Sequence, residues 1–170
     1  MSMLYPDKSS SVAQTKAKID IKELIYSDKG IAIGYNKHYH SKVESGRYPK
    51  KGDFSVDYRD SIDGAIAQIA KGLLDICGLD TGIWHNDFLR LEKINFYQLE
   101  DKNGLNTILV AGKLKSKNEL LGQTQSFSTP KIPQDVLVES GMLIQIKDLL
   151  KDLQEFYNGD RRYEQTNLFE

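Results

Sequence analysis

The sequence predicts an α+β fold: an antiparallel sheet carrying two main helices, in the order βββα-βββα. Three observations predict it. Apolar and polar residues alternate through short runs in the first third of the chain and again between about residues 89 and 128, which is the period of half-buried strands. Between and after these runs the period changes, so that Ile62, Ile66, Ile69, Leu73 and Ile76, and later Leu143, Ile146, Leu150, Leu153 and Tyr157, fall at helical spacing. The strand-like runs are joined by brief polar turns, which antiparallel neighbours allow and parallel ones do not.

Residues 1–18 read as a polar N-terminal arm with a serine run and no apolar period. The runs at 19–26 and 30–35 are strands, and the turn residues Ser27-Asp28-Lys29-Gly30 join them as a hairpin. Phe54, Val56 and Tyr58 alternate and predict a third strand over 53–58. The first helix follows. Asp60 or Ser61 is the expected N-cap, Asp63 suits the positive end of the dipole, and Gly78 is a stop. Gly64 and Gly72 weaken the helix intrinsically.

Residues 89–99, 105–115 and 120–128 predict a three-stranded meander, closed by Pro130 and Pro133, which cannot donate ladder hydrogen bonds. The second main helix ends at Asn158-Gly159, and Gly141 separates a short segment before it. The domain therefore spans 19–159, and 160–170 is a C-terminal tail. The two halves share an element order but no residue-level repeat.

Bulk properties narrow the function classes. Of 170 residues, 39% are hydrophobic and 28% charged, enough for one ordered domain. The net charge of -1 gives no global attraction to nucleic acid or membrane, so such contacts need a local patch. A single cysteine, Cys77, lies in the first apolar helix and has no partner for a disulfide, which points to a cytoplasmic location. No run approaches the roughly 18 apolar residues of a membrane span.

Residues 35–52 form the local patch. Lys37, Lys42, Arg47, Lys50 and Lys51 stand there against the single acid Glu44, a net +4, with Tyr35, Tyr39 and Tyr48 interleaved. Cations that neutralise phosphates beside rings that stack on bases suit sequence-tolerant single-strand binding. The candidate nucleic-acid residues are Lys37, Tyr39, Lys42, Arg47, Tyr48, Lys50 and Lys51. The alternative is a solvated hairpin whose tyrosines lie over the sheet. A three-strand-plus-helix unit with such a hairpin also resembles, in element order alone, the core of phage single-strand annealing proteins.

The tail carries the other signal. Gln165-Thr166-Asn167-Leu168-Phe169 resembles the peptide by which bacterial replication and repair proteins bind the sliding clamp. Gln165, Leu168 and Phe169 match that motif, and Thr166 departs from its usual Leu. The resemblance implies a clamp partner, with Leu168 and Phe169 as apolar anchors worth roughly 1.5–3 kcal/mol each when buried and Gln165 fixing register. The alternative is an arm packed on its own domain.

No reaction can be read from the sequence. His38 and His40 share a face if extended, and with His85 or an Asp they form a candidate metal pair without a fixed third ligand. Asp53, Asp57, Asp60 and Asp63 are the residues a metal-dependent nuclease would use, although helix-start electrostatics already explain two of them. Trp84 anchors an apparent loop over 82–88. Walker, nucleophile-elbow and Cys-x-x-Cys signatures are missing. The expectation is a non-enzymatic accessory factor in bacterial or phage DNA replication, recombination or repair, with no cofactor or metal. A small metal-dependent nuclease, or an interaction domain with a packed C-terminal arm, are the alternatives.

Overall fold

The computed structural model describes residues 18–78, 89–100, 102–118 and 120–159. Most of the N-terminal arm, Trp84, His85 and the tail with Gln165, Leu168 and Phe169 lie outside them. Among the described residues six strands form an antiparallel sheet: β1 (Lys18–Ser27), β2 (Gly30–His38), β3 (Val43–Tyr48), β4 (Arg90–Glu100), β5 (Asn106–Asn118) and β6 (Gln123–Ser128). The helices are α1 (Asp60–Ile76), the short α2 (Gln134–Glu139) and α3 (Met142–Tyr157). The predicted α+β class and the two main helices are present as expected.

The spatial strand order is β3-β2-β1-β4-β5-β6, which is symmetric about the β1–β4 pair. That pair is centred on Leu24 opposite Ile94. Each central strand is bulged two residues before that centre, at Lys22 in β1 and Glu92 in β4. Each three-strand half then leads to its helix. The symmetry therefore lies in backbone geometry and not in residue identity.

One face of the sheet meets the helices. Ile21, Leu24, Ile31, Ile33, Leu91, Ile94, Phe96, Val110 and Leu114 are buried on it. Against them pack Ile62, Ile66, Ile69, Ala70 and Leu73 from α1, and Met142, Ile146, Leu149, Leu153 and Phe156 from α3. The α3 stripe is rotated slightly from the expected one, since Leu143, Leu150 and Tyr157 are only partly buried beside it. Gly72 lets the two helices meet: a Cβ there would stand 2.6 Å from Met142 Sδ.

Two local expectations are corrected. Residues 53–58 are not a strand. β3 already occupies the β2 edge from Ile33 to His38, so only Ile31 remains for Ser55, in an isolated bridge. The third strand is Val43–Tyr48, inside the stretch read as a basic loop. Its apolar alternation is erased because it is an edge strand with charged and polar residues, a device that blunts edge-to-edge pairing. The α1 N-cap is Arg59, without a side-chain cap; Ser61 Oγ instead donates to Asp152 Oδ2 at 3.1 Å.

Candidate nucleic-acid interface

Hydrogen-bonded pairing places the sequence-predicted cations in two separate groups. Lys37, Tyr39 and Lys42 surround the β2–β3 tip, where Tyr39 N donates to Lys42 O at 2.9 Å. The ammonium groups of Lys37 and Lys42 lie 5.7 and 5.6 Å from the Tyr39 ring centre. Contact with the Tyr39 hydroxyl raises the Lys37 pKa and keeps it charged. Lys50 and Lys51 are exposed at the far end of β3. The six residues of β3 separate the two groups by roughly 20 Å.

The other two predicted residues are engaged by the fold. Arg47 Nη1 donates to Pro49 O at 2.9 Å and Lys50 O at 2.6 Å, and its guanidinium lies 5.1 Å from the Phe54 ring. Tyr48 points to the helix side, with its ring 5.3 Å from that of Phe156 and 6.1 Å from that of Tyr157. Tyr35 does the same, 4.8 Å from Tyr157. These rings cement β2 and β3 to α3.

The histidines and aspartates scatter. His38 Nε2 lies 2.7 Å from Asp20 Oδ2 across the β1–β2 pair. His40 is exposed at the hairpin tip, and Asp53 and Asp60 are exposed on separate segments. Asp63 accepts hydrogen bonds from Tyr58 at 2.7 Å and Tyr26 at 3.4 Å. Among the described residues no three His, Cys, Asp or Glu side chains form a group able to hold a metal ion. Cys77 is half-buried, and burial raises its thiol pKa, away from thiolate chemistry.

A second basic surface was missed by the sequence reading. The sheet face away from the helices carries no described helix, and pairing register assigns its residues. Lys113, Lys115 and Lys117 alternate along β5 with buried Leu114 and Ser116. They form a row at a spacing of about 6.8 Å. Arg90 stands opposite Lys115, and Lys93 opposite Lys113. Lys131 Nζ lies 4.4 Å over the Tyr97 ring on the same face. The acids of this face are each held: Asp20 by His38, Glu23 by Lys93 at 3.3 Å, and Glu92 by Ser126 at 3.3 Å. The signal was available, because Gly112-Lys113-Leu114-Lys115-Ser116-Lys117 puts three lysines on one side of any strand.

Fold and surface together define a class: an α+β domain with one helix-covered sheet face and one lysine-rich face. The chain matches no family model, no curated protein and no solved structure. Among the described residues, no helix is long and apolar enough to cross a membrane.

Proposed function

We propose that this protein is an accessory factor in bacterial or phage DNA replication, recombination or repair, which contacts single-stranded nucleic acid through its sheet and is tethered to the sliding clamp by Gln165, Leu168 and Phe169. The observation that carries the nucleic-acid reading is the lysine row on β5 beside Tyr97 and Lys131. A row of cations follows a phosphate backbone, and an aromatic ring accepts a base regardless of its identity. The hairpin-tip group Lys37-Tyr39-Lys42 repeats the same pairing of ring and ammonium, but at the other end of the sheet, with Lys37 on the helix side.

The tether reading stands on the sequence resemblance and on separate physics. Two apolar anchors and one register-setting amide give a short peptide micromolar-class affinity after its ordering cost. A ring presenting several identical clefts increases that through local concentration.

The test is fluorescence anisotropy with a labelled thymidine oligonucleotide across a salt series. Reversing Lys113 and Lys131 to Glu, or Lys50 and Lys51 to Glu, is expected to weaken binding. The slope of log affinity against log salt should become shallower by about 0.7 for each phosphate left without its cation. Wild-type protein that binds nothing at low salt would remove the nucleic-acid reading.

A further inference from the structure

β1 and β4 pair through only three residue pairs, ending at Ile25 opposite Lys93. Beyond this point β1 continues along β2 and β4 along β5, so the central strands part. They part at the other end too, but there Gln98 Nε2 donates across the gap to Ile21 O at 3.5 Å. At the Tyr26–Arg90 end the gap opens into a cavity of about 300 Å³, with Arg90, Glu92, Lys115 and Lys117 on its walls. A second cavity of about 420 Å³ adjoins it toward the helices. The two share Tyr26, Ser27, Asp28 and Arg90.

The chemistry of this notch is two-sided. Arg90, Lys115 and Lys117 supply cations and charged donors for a phosphate. Asp28 and Glu92 are acceptors for amino or hydroxyl groups. Tyr26 turns its hydroxyl to Asp63 and presents its ring as a wall. A bare anion would meet two carboxylates there, and a neutral ligand would draw nothing from the three cations. A volume near 300 Å³ lies at the small end of ligand sites.

We propose that the notch holds one nucleotide: its phosphate among Arg90, Lys115 and Lys117, its base against Tyr26, and its exocyclic amine or sugar hydroxyl toward Asp28 or Glu92. This deepens the single-strand reading and rests on it for the ligand's identity. The notch opens beside the Lys115–Lys117 end of the lysine row, so a strand lying along β5 would bring one nucleotide to it.

The test uses deoxycytidine 5′-monophosphate as probe, followed by amide NMR shifts in the full chain. Saturable shifts centred on Ser27, Lys115 and Thr124 are expected, with deoxycytidine giving far weaker ones. Lys115→Glu with Lys117→Glu should weaken the nucleotide by about tenfold or more; Lys115 is exposed and Lys117 half-buried, and a melting curve confirms folding. Absence of shifts in the wild type overturns the notch, whether or not an oligonucleotide binds. Equal affinity for nucleotide and nucleoside overturns the phosphate assignment. Nucleotide binding without oligonucleotide binding upholds the notch as a nucleotide site and removes the single-strand reading instead.

Discussion

Tyr58 donates a 2.7 Å hydrogen bond to Asp63, joining the segment before α1 to the first turn of that helix. Tyr58 is only 5% exposed, so burial first, and then the Asp63 carboxylate, raise its phenol pKa. The hydroxyl therefore stays protonated in the fold at a pH where the unfolded chain ionises, near 10. The folded state binds more protons there, so stability is full below pH 10 and falls as pH rises through the folded pKa. Tyr58→Phe should cost roughly 1.5–3 kcal/mol at neutral pH, the worth of a hydrogen bond to a charged group. Urea unfolding from pH 8 upward should then show a shallower alkaline decline. Tyr26 and Tyr35 are raised by burial as well, so the decline should flatten and not vanish.

Gly30 ends the β1–β2 turn at φ +119°, and a Cβ there would stand 2.0 Å from Ser55 O. The close approach follows from the Ile31–Ser55 bridge, which brings the chain against the start of β2, and the positive φ belongs to the tight turn that Gly30 closes. Gly30→Ala adds backbone strain and a clash with an immovable carbonyl. A loss of roughly 3 kcal/mol or more is expected. Thermal melting checks it; a drop of only a degree or two would mean the 53–58 segment is not held on β2.

The Ser55 contact also marks where sequence reading failed. Phe54, Val56 and Tyr58 alternate as a strand would, yet Val56 is 66% exposed and Tyr58 is buried in the core with its hydroxyl on Asp63. The true third strand, Val43–Tyr48, carries Glu44, Gly46 and Arg47 and has no apolar period to detect. Long, strongly periodic elements were legible: α1 begins and ends within a residue or two of expectation, and Gly141 does divide α2 from α3. The site was half legible. Charge density along the chain picked out residues 35–52, but β3 pulls their cations to opposite ends. The β5 lysines are spread by alternation in sequence and gathered by the pleat in space.

Tyr97 and Tyr48 separate the two uses of tyrosine. Tyr97 lies on the open face under Lys131, whereas Tyr48 packs on Phe156. Tyr97→Ala should weaken single-strand binding by roughly 1–3 kcal/mol, the usual worth of a stacked base, with a small change in melting temperature. Tyr48→Ala should do the reverse, destabilising the fold while leaving the binding of folded protein nearly unchanged. Anisotropy and calorimetry on the same two variants check the pair. Equal binding losses from both would point away from the open face.

Leu168 and Phe169 are the anchors of the proposed tether, and replacing both with Ala should abolish binding to a bacterial sliding clamp. Each gives up roughly 1.5–3 kcal/mol of burial in the partner, and a micromolar-class peptide has no reserve to absorb that. The same change should leave the melting temperature nearly untouched, because a tether contributes nothing to the core built by α1, α3 and the sheet. Anchors packed within the domain behave oppositely. Truncating a buried Phe costs roughly 3–5 kcal/mol, which for a domain of this size lowers the melting temperature by about ten degrees. One double variant, read by clamp pull-down and by calorimetry, therefore gives opposite pairs of results under the two arrangements. Unchanged clamp binding together with a large loss of stability would overturn the tether. It would leave the β5 lysine row as the remaining reason to place this protein near DNA.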